Sequence, residues 1–157
     1  MAIINKLSSF YGDFVGGVWA TPAAASRDGK QHVIQGAVTN AAGNNSGSTY
    51  KLFTLPWTAI LLPITAFRTD TWGFAQVQIG TLSTPLGILN AAKGVSTTGQ
   101  LPITIFGAKW NKPLWEAIGL AAMPTDTGFA DIYATTIADA TGAGTLSFHV
   151  EYVSPLI

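Results

Sequence analysis

Few residues in this chain can carry polar chemistry. There are two histidines, His32 and His149, and eight carboxylates: Asp13, Asp28, Asp70, Asp126, Asp131, Asp139, Glu116 and Glu151. No H-x-H pair occurs, so the paired-histidine metal pattern of small β-barrels is missing, and each histidine reads as a side chain satisfied within a sheet. His149 stands between Phe148 and Val150, in phase with an alternating strand. Glycoside hydrolysis needs two facing carboxylates. Asp70 and Asp126 are the pair to weigh, but both sit in the same T-D-T context, which suits the capping of a turn better. Calcium has no D-x-D-x-D series to bind it. With no cysteine, neither a disulfide framework nor a thiolate metal site is available. No G-x-S-x-G, phosphate loop or G-x-G-x-x-G appears; "GAGTLS" at Gly142 stops short of the dinucleotide pattern. No catalytic residue, metal or cofactor is expected.

Aromatic residues are the richer resource. Five tryptophans, Trp19, Trp57, Trp72, Trp110 and Trp115, are many for this length, and core packing accounts for most of them. Trp72 in a turn and Trp19 in a glycine-broken N-terminal stretch are expected at an interface, where aromatics anchor partners. A sugar platform at Trp72 or Trp110 is the alternative, although no Asn/Asp/Arg cluster accompanies Trp72.

Composition narrows the classes further. At 157 residues, one domain is expected, with about 70% of its unfolded surface buried. Only 10% of residues are charged and the net charge is zero, against about 25% charged in an ordinary domain. Such a surface self-associates unless neutral polar groups cover it or neighbours hide it. The 19 threonines supply the first remedy, and an assembly would supply the second. Eight scattered Lys and Arg cannot neutralise a row of phosphates, so nucleic acid is not expected as a partner. Neither is a membrane. "LPWTAILLPITAF" (55–67) is interrupted by Pro56 and Pro63 and is shorter than the ~20 residues that a span needs; it fits a buried pair of strands joined at proline. "MAIINKLSSF" lacks the continuous apolar run of a signal peptide.

The elements that must position these residues are strands. Residues 1–26, with Phe10, Tyr11, Phe14, Val18 and Trp19 broken by Gly12, Gly16 and Gly17, keep neither period and read as an extended arm with at most one short strand. From residue 27 onward the chain reads as one β-domain. "HVIQGAVT", "TYKLFTL", "AILLPITAFRT", "GFAQVQIGT", "LPITIFGAKW", "FADIYATTIAD" and "TLSFHVEYV" carry β patterning. Residues 82–100 read as loop, with a helical turn near "GILNAAKG" as the other option, and "NKPLWEAIGLAAMP" as either a strand or a short helix capped by Asn111. "ATGAG" (140–144) reads as a hairpin connection. Two stretches, "TDTWGFAQVQI" from Thr69 and "TDTGFADIYAT" from Thr125, are nearly the same phrase, placing Ala75, Val77 and Ile79 in phase with Ala130, Ile132 and Ala134. Their flanks do not match, so turn-to-strand chemistry used twice explains them better than a duplicated ligand loop. The expected fold is all-β: an antiparallel β-sandwich, jelly roll or related Greek-key barrel.

Two stretches, "LPWTAILLPITAFRTDTWGFAQVQIGT" and "ADIYATTIADATGAGTLSFHVEYV", together resemble tailed-bacteriophage structural proteins. That resemblance implies a virion protein, a jelly-roll decoration or cement protein that binds the major capsid protein and itself as homodimer or homotrimer. The class brings no catalytic residues. The interface residues expected here are Phe10, Tyr11, Phe14, Val18, Trp19 and Trp72, the first five from the arm. A tail-associated glycan- or receptor-binding module is the other expectation.

Overall fold

The computed structural model describes residues 3, 5–7, 31–92, 98–101, 109, 111–125 and 128–154. Among them run ten strands and one helical turn: β1 (Asn5–Leu7), β2 (Gln31–Asn40), β3 (Thr49–Pro56), β4 (Ile60–Leu61), β5 (Ala66–Asp70), β6 (Gln76–Gly80), β7 (Leu89–Ala92), β8 (Thr98–Leu101), α1 (Leu114–Ala117), β9 (Phe129–Thr135) and β10 (Gly144–Val153). They form two sheets, ordered β1-β3-β9-β6-β7 and β2-β10-β5-β8, with β4 added beside β10. All pairings are antiparallel except β1 on β3. The fold is therefore an all-β sandwich, as the alternation implied.

Period-two patterning sorts each strand into an inner and an outer face. In β10, Leu146, Phe148, Val150 and Tyr152 are buried while Thr145, Ser147 and His149 lie outward. In β9, Ala130, Ile132 and Ala134 alternate with half-buried Asp131, Tyr133 and Thr135. The register of β3 on β9 shifts between Lys51 and Phe53, and this bulge turns both Leu52 and Phe53 inward. Two aromatic groups fill the interior. Tyr50, Trp72 and Phe74 meet at angled contacts of 5.3 to 6.1 Å, and Phe53 packs on Phe67 and Phe148. Gly36 faces Phe148 across the β2–β10 ladder, where the ring tip lies 2.6 Å from the place a Cβ would occupy.

Several sequence expectations are corrected. Residues 82–100 hold β7 and β8 rather than loop alone; "LNAA" has weak strand propensity, and its pairing with β6 makes it a strand. The 140–144 connection is not a hairpin, because β9 and β10 belong to opposite sheets. Its glycines serve close approach instead. A Cβ on Gly144 would stand 2.1 Å from the Thr71 carbonyl oxygen, and one on Gly73 would stand 1.8 Å from that of Gly142. Asn111 does not cap α1; it takes a left-handed φ of 57° and Pro113 holds the cap position. Ala75 is exposed rather than in line with Val77 and Ile79. The duplicated phrase does report topology. The strands it leads into, β6 and β9, lie side by side with Ile79 opposite Ala134.

The sandwich has two unlike ends. At one, the loops 41–48, 71–75 and 136–143 are pinned together. Asn40 donates through Nδ2 to the carbonyls of Ala41 and Gly142 and accepts from the Gly73 amide, while Ser46 donates its amide to Asp139. At the other end run the 57–65 and 81–88 connections and the segment containing α1.

Candidate functional site

Both histidines lie on the β2–β10 ladder; His149 is satisfied there as expected, whereas His32 Nε2 is buried with no hydrogen-bond partner among the described residues. His149 Nδ1 is 2.7 Å from Gln35 Nε2, and its Nε2 is 2.7 Å from Glu151 Oε1; Gln31 donates to the other oxygen of Glu151. Ser147, His149 and Glu151 follow one another on the outer face, yet both imidazole nitrogens are occupied by Gln35 and Glu151, leaving none to activate the serine hydroxyl. These bonds stitch an edge strand to its neighbour. His32 stacks on Tyr152 at 5.1 Å. On the other sheet, Asp131 accepts from Lys51 at 2.8 Å and from Thr54 at 2.6 Å, and burial together with this carboxylate pushes the Tyr133 phenol up. Asp70 is an exposed residue closing β5, and its expected companion Asp126 lies outside the described residues. Among the described residues no group of three His, Asp or Glu side chains could hold a metal, and no helix is long and apolar enough to cross a membrane.

The tryptophan expectation needs a specific correction. Trp72 is 0% exposed and wedged between Tyr50 and Phe74, so it is a core residue and offers no face to a partner or a sugar. The turn that carries it folds inward because Thr71 takes a left-handed φ of 49° and Gly73 lets the 142 backbone close over it. Trp57 is buried, and Trp115 is partly buried against the core. Phe10, Tyr11, Phe14, Val18, Trp19 and Trp110 lie outside the described residues.

The surface feature that sequence reasoning missed is the apolar end. Ile64, Leu82, Leu86 and Met123 are each 46–60% exposed, and all four sit in connections at that end. The geometry holds these connections together. Leu114 donates its amide to the Ala59 carbonyl, Trp115 to that of Trp57, and a Cβ on Gly87 would stand 2.7 Å from that of Ile118. The loop 81–87 is stapled by Thr81, whose hydroxyl meets those of Ser83 and Thr84. Charge is scarce here. Lys112 and Glu116 pair with each other, and Lys109 is the other exposed ion among the described residues of these connections. The signal in the sequence was leucine and methionine beside proline and glycine, "LSTPLG" and "AAMPT", where a turn would ordinarily be polar.

No family model matches the chain, and no curated protein matches its sequence. Solved structures do. A chain of the cyanophage Pam1 capsid asymmetric unit superposes with a TM-score of 0.55, covering 81% of this chain and 86% of its own at 16% identity. The likeness is one of fold. A chain from the acid-stable capsid of Helicobacter pylori bacteriophage KHP30 matches more loosely, with a TM-score of 0.35, 13% identity and coverage of 79% and 93%.

Proposed function

We propose that this chain is a non-enzymatic structural protein of a phage virion, one that decorates and stabilises the capsid by bridging major capsid subunits. The observation that carries the reading is the shared sandwich fold with a chain of a phage capsid over 81% of the sequence. The apolar end supports it. Ile64, Leu82, Leu86 and Met123 present uncharged surface held by a rigid set of backbone bonds, the character of a contact that partners cover. Charge scarcity supports it too, because a protein with 10% charged residues stays dispersed best when neighbours cover part of it. In this reading the arm residues Phe10, Tyr11, Phe14, Val18 and Trp19 add anchoring contacts, the sandwich is a jelly roll, and the protein works as a homodimer or homotrimer on the capsid surface. A saccharide-binding role has lost Trp72 as its platform.

The test is binding to capsids that lack this protein. Purified protein should co-sediment with them, and binding should change little between low and high salt, since apolar contacts are barely screened. Binding that vanishes at high salt, or protein that stays in the supernatant throughout, would refute the reading.

A further inference from the structure

The N-terminal strand is joined to the sandwich in an unusual way. β1 is a three-residue strand, Asn5–Leu7, lying parallel to β3 in the register Asn5–Thr49, Lys6–Tyr50 and Leu7–Lys51. It occupies one edge of its sheet, whereas the next described strand, β2, lies on an edge of the opposite sheet. Leu7 is level with Lys51, while Gln31 starts at the far end of β2, opposite Val153. With sheets about 10 Å apart and about 3.3 Å per strand residue, the gap to be bridged is roughly 20–30 Å. Residues 8–30 connect the two points and could span on the order of 75 Å if drawn out. The connection is therefore far longer than closure requires.

From this geometry we infer that β1 exchanges between copies: Asn5–Leu7 of one chain adds to β3 of a second. The ladder formed is the same in both cases, so backbone hydrogen bonding does not discriminate between them. Closure entropy favours self-pairing, and that preference weakens as the connecting segment lengthens. A three-residue strand at an edge also opens at low cost compared with the body of the sheet. The local effective concentration of a strand tethered through a connection of this length is of millimolar order. Dilute chains therefore close on themselves, whereas chains held side by side, or concentrated, trade strands. The β3 edge is thus the interaction surface, and its occupant is the β1 segment of another copy. The inference goes beyond the capsid reading, and its test involves no particle, so each can fail alone.

The absence of cysteine makes the test clean. Facing residues of adjacent strands lie about 4.8 Å apart, within the span of a disulfide. Asn5→Cys and Thr49→Cys are placed in one chain to check the register, and in two separate chains to detect exchange. At micromolar concentration the double variant should oxidise within itself. Mixed single variants should give a 5–49 heterodimer that grows with concentration and reaches roughly half of the material near millimolar levels. Asn5→Cys mixed with Arg68→Cys, an exposed position on the other sheet, measures random collision. The inference is overturned if the 5–49 heterodimer never exceeds that control. It is equally overturned if the double variant does not close on itself, because β1 then does not hold this register.

Discussion

Gly36→Ala tests the packing logic of the sandwich at one atom. The added Cβ would lie 2.6 Å from the tip of the Phe148 ring and 3.2 Å from the two adjacent ring carbons. That ring cannot retreat freely, since its other side meets Phe53 at 5.1 Å, and Phe53 in turn stacks on Phe67. Overpacking of this kind costs about 1–3 kcal/mol. Replacing glycine by alanine in a strand returns about 0.5–1 kcal/mol of backbone entropy. A net loss of about 1–2 kcal/mol is expected, which for a domain of this size lowers Tm by about 2–8 °C. The assay is urea unfolding of Gly36→Ala, Phe148→Leu and the double variant. Phe148→Leu alone should destabilise by leaving space over Gly36, and the alanine should then fill part of it. The double variant should accordingly be more stable than the sum of the single losses by about 0.5–3 kcal/mol. Strict additivity, or a neutral Gly36→Ala, would refute the claim that the Phe148 ring depends on the missing side chain.

Three further outcomes follow from the same geometry. Trp72→Ala should cost about 3–5 kcal/mol and lower the unfolding midpoint, as expected for a filled core position; a variant of unchanged stability that merely binds partners less well would contradict this. Leu82→Asp with Leu86→Asp should leave stability within about 0.5 kcal/mol, as exposed substitutions do, while reducing co-sedimentation with capsids. Burial holds the phenols of Tyr50 and Tyr152 above the ordinary value of 10.0, and burial with the Asp131 charge does so for Tyr133. A raised pKa means that the fold prefers the neutral phenol, so this stability is complete below pH 10 and is lost as pH climbs through the folded-state values. Alkaline titration by phenolate absorbance should show these tyrosines ionising late and together with unfolding; ionisation at ordinary values in the intact fold would count against the burial.

Alternation made most of the architecture legible. β9 kept strict inner and outer positions, β10 did so as far as the buried Glu151, and two strands joined at Pro63 followed from the density of "LPWTAILLPITAF". What escaped depends on contacts distant in sequence. β7 is a strand because Gln76–Ile79 offers it partners, and nothing in "LNAA" announces that. The glycines at 142 and 144 resemble a hairpin turn, yet they exist to let the 71 and 73 backbones approach, a demand visible only in three dimensions. Trp72 was misplaced for the same reason: a turn usually points outward, and this one is folded over by its neighbour loops. The apolar end was hidden because each exposed residue is unremarkable alone, and topology collects them.

The arrangement of β10 sets the order in which the molecule can form. This strand is the shared neighbour of β2, β4 and β5, and β9 likewise separates β3 from β6. Among the described ladders, β6 with β7 joins strands close in sequence, while the others await partners far along the chain. A ribosome therefore releases most of the polypeptide before either sheet has its middle, and folding should be slow and concentrated after synthesis. During that interval β-rich apolar segments remain open to mispairing, so yield during expression should respond to temperature and chaperones more than final stability would suggest.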